Sequence, residues 1–119
     1  MKTSLDPRHL RRVAIVKDLF AQSFISQSNI SSDVKKIFNM LSVLDHKICS
    51  AAPEWPLSKV AKVDLAILRL ATYELLTEKQ TPPKVVIDEA VELAKEFGGD
   101  GSAPFVNGVL GTILGNLKT

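Results

Sequence analysis

Nowhere in this chain do apolar and polar residues alternate with a sustained two-residue period, whereas apolar residues recur at three- and four-residue spacing over most of its length. A half-buried strand hides every second side chain and a helix every third or fourth. The pattern therefore predicts an all-α protein, a compact bundle of about six to seven helices. With 119 residues and a hydrophobic fraction of 45%, one core and a single domain over 1–119 are the expectation. No apolar run reaches the roughly 18 residues of a bilayer span, so a transmembrane reading is excluded. Charges at Lys2, Asp6, Arg8, Arg11, Arg12, Lys17 and Asp18 leave no room for a secretory signal, and an intracellular, cytoplasmic protein is expected.

Proline and glycine punctuate the helical pattern. Asp6 followed by Pro7 opens a helix that the spacing carries to about Gln27. Its broad apolar face, Leu10, Val13, Ala14, Val16, Phe20, Ala21 and Phe24, is predicted to pack into the core, with Arg8, Arg11 and Arg12 opposite. Ser31, Ser32 and Asp33 are capping candidates for a second helix through Val34, Ile37, Phe38, Leu41, Leu44 and Ile48, ended by Pro53 and Pro56. Between those prolines stands the only tryptophan, Trp55, and residues 57–62 suit one short helical turn. A third long helix from about Val63 to Glu78 is apolar around so much of its circumference that a central position is predicted. Pro82 and Pro83 open another, from about Lys84 to Phe97, with Gly98 as its C-terminal cap, a place where a left-handed conformation is often needed. A last helix follows Ser102 as its candidate cap, through Ala103 and Pro104 to about Leu117. Its glycines Gly108, Gly111 and Gly115 predict close backbone approach to a neighbouring helix or ligand.

The net charge of +2 is unevenly spread. Residues 1–20 hold five Lys or Arg against two Asp, a local +3, which leaves −1 for the remainder. A cluster of this kind attracts phosphates over about a Debye length, roughly 10 Å. Ile15 and Leu19 share the azimuth of Arg8 and Arg12 at about 100° per residue. They either pack beneath another segment of this chain or meet a second protein.

Catalytic chemistry finds little purchase. Asp88, Glu89, Glu92 and Glu96 recur on one helix, but neither His9 nor His46 stands in a Glu-x-x-His arrangement, so a solvated charged face with Lys95 is preferred to a metal site. The glycine-rich turn from Gly98 to Ser102 lacks the Gly-Lys-Ser/Thr ending of a nucleotide loop. It reads as a helix connection, or as backbone N–H groups facing a phosphate or base edge between Phe97 and Phe105 as stacking platforms. The lone Cys49 is expected to be a small buried apolar residue. No enzyme, cofactor or metal is expected.

Three adjoining segments carry a family resemblance: V-D-L-A-I-L-R-L-A-T-Y-E-L-L from Val63, P-P-K-V-V-I-D-E-A-V-E-L-A-K from Pro82, and F-G-G-D-G-S-A-P-F-V-N-G-V-L from Phe97. In order and spacing they resemble the NusB family of bacterial transcription antitermination factors. The resemblance implies two small helical sub-bundles and binding of boxA-type single-stranded RNA together with NusE, a ribosomal small-subunit protein, within an RNA polymerase antitermination complex. It also implies an RNA surface from Arg8, Arg11, Arg12, Lys17 and Phe20 on the first helix, Lys84, and Phe97, Gly101, Ser102 and Phe105. Phe20 stands where the family has a tyrosine, and Gly101 replaces a common acidic residue. The alternative is a protein-interaction module, possible homodimer included, built on Ile15, Leu19 and the glycine-bearing last helix.

Overall fold

The structure, a computed structural model, describes residues 6–25 and 29–118, and all regular elements among them are helical. In order they are α1 (Pro7–Gln22), α2 (Ser32–Asn39), α3 (Leu41–Ala51), a 3₁₀ turn (Leu57–Lys59), α4 (Lys62–Thr77), α5 (Pro83–Phe97) and α6 (Ser102–Leu117). Asp6 caps α1 as anticipated, its carboxylate accepting from the Arg8 N–H at 2.8 Å. Ser31 does the same for α2, accepting from the Val34 N–H.

α4 is the hub. It packs against α1, α2, α3, α5 and α6, and Ala66, Ile67, Leu68, Leu70 and Ala71 are buried along it. α4, α5 and α6 pack on one another, while α1 to α3 cover the remaining sides of α4. Buried side chains from both groups, among them Val16, Ile37, Leu44, Ile48, Leu93, Leu110 and Ile113, join one core. Arg69 ties α3 to α4 through a bidentate pair with Asp45, both contacts 2.9 Å.

Several expectations need correction. α1 stops at Gln22, five residues early, because the Ser23 N–H and hydroxyl both turn back to carbonyls of the last turn; residues 26–28 lie outside the described segments. Its buried side chains are His9, Ile15, Val16 and Leu19, whereas Leu10, Phe20 and Phe24 are exposed. Ile15 and Leu19 therefore pack within this chain. The second predicted helix is two, broken at Met40, whose φ of −109° and ψ of 10° are not helical. Apolar spacing continues across that break, which is why the sequence hides it.

Cys49 is exposed, since the stripe buried by α3 runs through Leu44 and Ile48 and the next residue turns away from it. Gly98 is the C-terminal cap of α5 as expected, its N–H bonded to the Ala94 carbonyl, but with φ of −92° and ψ of −172° it is extended and not left-handed. Space explains this glycine instead: a Cβ there would overlap the Ser102 side chain and approach the Ala94 carbonyl oxygen to 2.7 Å. Gly108, Gly111 and Gly115 face open space, with nothing within 4 Å of where a Cβ would stand, so no neighbouring helix requires them.

Candidate nucleic-acid interface

The residues singled out in the sequence divide into two groups at opposite ends of α1. At its start, each arginine is held by a carboxylate of the same chain. Arg8 reaches back to Asp6 at 3.2 Å. Arg11 makes a two-pronged pair with Asp33 of α2, at 2.9 and 3.2 Å. Arg12 grips Glu74 of α4 at 2.7 and 2.9 Å and lies 3.4 Å from Glu89 of α5. Hydrogen bonding to these acids is the main reason the three guanidinium groups are held above their usual range, and Arg11 likewise holds the Asp33 carboxyl below its own. Three arginines thus face four carboxylates, and the +3 of the linear sequence is cancelled locally.

Arg12 does not lie opposite the core. Its side chain and that of Glu74 are each only 11% exposed, and Glu89 only 7%. His9 sits beside it, 3.5 Å from Glu89 and 3.2 Å from Glu96. Glu89 accordingly belongs to a buried ionic joint between α1, α4 and α5, not to a solvated face, while Lys95 pairs with Glu92 on the surface as expected. Sequence reading missed this joint. Its signal was available: Glu74 continues the buried stripe Ile67, Leu70, Ala71 of α4, and Glu89 the stripe of Val86, Ala90 and Leu93 of α5. A carboxylate within a buried stripe requires a cation from the facing element.

The other end of α1 is different in kind. Lys17 lies over the Phe97 ring, 5.8 Å from its centroid, at the end of α5. Phe20 and Phe24 stack edge to face at 5.0 Å, and Lys62 at the start of α4 stands 5.3 Å over Phe24. Beyond the α5–α6 corner, Phe105 meets Trp55 edge to face at 6.0 Å. Among the described residues neither Lys17 nor Lys62 forms a salt bridge, so their charge is directed at rings and solvent. The sequence pattern does not single out Lys62, Phe24 or Trp55 for this face. The four-residue spacing of Phe20 and Phe24 is a signal for one face, but nothing local in the sequence joins Trp55 to Phe105.

Of the remaining candidates, Gly101 is exposed and forms the N-terminal boundary of α6 without any side-chain cap. Ser102 is buried and does not cap that helix: its hydroxyl accepts the Gly99 N–H at 2.9 Å and fixes the corner. Lys84 is exposed and paired with Asp88 at 3.4 Å. It lies at the far end of α5 from Phe97, about 20 Å along the axis, and so is not part of the aromatic face. Among the described residues no group of three or more His, Cys, Asp or Glu is placed to hold a metal ion, and no helix is long and apolar enough to cross a membrane.

Among the described residues, a bundle of helices packed around α4, with lysines beside aromatic rings at one end, is a small all-helical module. The model of the NusB family matches residues 12–114, and the chain belongs to that family. The transcription antitermination protein NusB of Thermotoga maritima is 36% identical over 95% of this chain and 92% of its own length. That of Chloroflexus aggregans is 57% identical over 61% of this chain. The matched stretch spans about half the length of the Chloroflexus aggregans and Roseiflexus castenholzii relatives, 50% and 54%. The solved structure of T. maritima NusB superimposes with a TM-score of 0.84 at 36% identity, covering 97% of this chain and 93% of that one.

Proposed function

We propose that this chain is a non-catalytic factor of transcription antitermination that holds boxA-type single-stranded RNA of a nascent ribosomal transcript, acts with the ribosomal protein NusE, and joins the RNA polymerase antitermination complex. The name borne by its relatives supports the role. The observation that carries the RNA part is the end of the molecule where Lys17, Lys62, Phe97, Phe105 and Trp55 gather, the two lysines without a salt bridge among the described residues and the rings partly open. Single-stranded bases stack on such rings and phosphates follow such cations. The arginine end contributes to folding in this reading, and little to affinity.

Filter binding at two salt concentrations, with NusE present, tests it. BoxA-type RNA is expected to bind more tightly than a scrambled sequence, with a shallow salt dependence because few phosphates are contacted. Equal binding of both sequences would remove the role. Phe20, Phe24 and Ile25 are 37%, 60% and 69% exposed and favour a protein partner beside the RNA, for which NusE is the proposed occupant. Light scattering distinguishes that arrangement, a monomer that gains mass only with NusE, from self-association.

A further inference from the structure

Glu96 stands in the last turn of α5, one residue before Phe97. A carboxylate there faces the negative end of its own helix and is disfavoured unless a partner holds it. That partner is His9: Nε2 of its buried ring lies 3.2 Å from Glu96 Oε2, although the Glu96 side chain is itself half exposed. Nδ1 of the same ring lies 3.5 Å from Glu89, two turns earlier on α5. One imidazole in the first turn of α1 thus spans two turns of the facing helix. Two turns further along α1, about 12 Å on the axis, Lys17 lies over the Phe97 ring. α1 therefore reaches two successive residues of α5, Glu96 through His9 and Phe97 through Lys17. Arg12, between them, grips Glu74 and Glu89, and neither of those acids adjoins Phe97.

We infer that His9 and Glu96 are positioning residues, a clamp that fixes the end of α5 so that the Phe97 ring stands under Lys17, and that RNA affinity depends on this clamp although both residues lie outside the aromatic face. The inference rests on the RNA-binding reading above and adds two residues to it. Phe97 is the last residue of α5, and helices fray in their last turn. A side chain held one residue earlier removes that freedom, and a ring already in place binds a base at a lower ordering cost. The contact needs a donor at position 9 and an acceptor at position 96. An imidazole supplies the donor at Nε2 in one neutral tautomer and in the charged form alike.

Two readouts test the clamp: the ε-methylene proton resonances of Lys17 in the free protein, which the ring current of Phe97 moves upfield, and the dissociation constant for boxA-type RNA with NusE present. Glu96→Ala is expected to return the Lys17 resonances towards those of a free lysine side chain and to weaken RNA binding about threefold. Its thermal midpoint should stay near the native one, because the side chain is half exposed. The direction is diagnostic, since deleting a carboxylate beside an RNA face raises affinity by charge alone and a fall therefore reports lost position. Glu96→Gln drops the charge and keeps an acceptor, so it should retain the Lys17 resonances and bind RNA at least as tightly as the native protein. His9→Gln, whose amide N–H takes the place of Nε2–H, should likewise keep them, whereas His9→Ala should reproduce Glu96→Ala. Native Lys17 resonances in Glu96→Ala would overturn the clamp. Displaced resonances with native RNA affinity would overturn its role, as would a loss in Glu96→Gln equal to that in Glu96→Ala. Equal binding of boxA-type and scrambled RNA by the native protein would remove the RNA-binding reading, and the clamp's role with it, while the Lys17 resonances would still report separately on the contact itself.

Discussion

The two ends of α1 both carry positive charge, and that charge meets opposite fates. The start of the helix offers three cations and its later half one: Arg8, Arg11 and Arg12 are matched by Asp6, Asp33, Glu74 and Glu89, whereas Lys17 forms no salt bridge among the described residues and lies over the face of Phe97. What separates them is the facing element. α4 and α5 present glutamates to the start of the helix, and the corner between α5 and α6 presents rings to its end. A linear count of positive charge therefore measures what the folded surface offers only after the carboxylates brought alongside have been subtracted.

The contrast is broken most forcefully at Arg12. Arg12→Ala leaves Glu74 and Glu89 buried without their cation and is expected to cost about 3–5 kcal/mol of stability, read from urea denaturation. RNA affinity of the fraction that remains folded should be nearly unchanged; a normal urea midpoint with lost RNA binding would reverse the assignment. At the other end, Phe105→Ala should cost about 1–3 kcal/mol of RNA affinity if the ring stacks a base, while the thermal midpoint shifts less than for Arg12→Ala. Lys17→Gln is a smaller perturbation: the slope of log affinity against log salt should fall by about 0.7, the share of one phosphate on a single strand. An unchanged slope would take Lys17 off the RNA path.

The smallest effect is expected at the Arg11–Asp33 pair, which is largely exposed and contributes no more than about 1 kcal/mol because solvent screens it. Arg11 holds the Asp33 carboxyl below the ordinary aspartate value of 3.8. The stabilisation is therefore complete above the unfolded value and is lost as pH falls through the lower folded one. Asp33→Asn should lower stability slightly at neutral pH and flatten the decline on the acid side. A decline as steep as in the native protein would show that other carboxylates set it.

Element boundaries were legible where the chain punctuates itself. α5 begins one residue from its predicted start because Pro82 and Pro83 fix it, and α4 is displaced by a single residue at each end. Its central place follows from apolar residues on every side. The break at Met40 and the true core face of α1 were hidden for a common reason: apolar residues occur on both sides of the junction and on more than one stripe of the helix. Only the partner surface decides which stripe is buried, and on α1 that surface selected His9 and Arg12 together with Val16 and Leu19. The aromatic half of the candidate interface was legible as a turn between Phe97 and Phe105. The contacts that complete it, Trp55 to Phe105 and Lys62 to Phe24, join residues far apart in the chain.

The central claim is that RNA is held at the aromatic end of α1 and not at its arginine end. The direct measurement is the dissociation constant for boxA-type RNA, with NusE present, of two double variants beside the native protein. Arg8→Gln with Arg11→Gln is predicted to stay within about twofold of native, while Lys17→Gln with Phe105→Ala is predicted to weaken binding about tenfold or more. A large loss in the first variant and native affinity in the second would contradict the account.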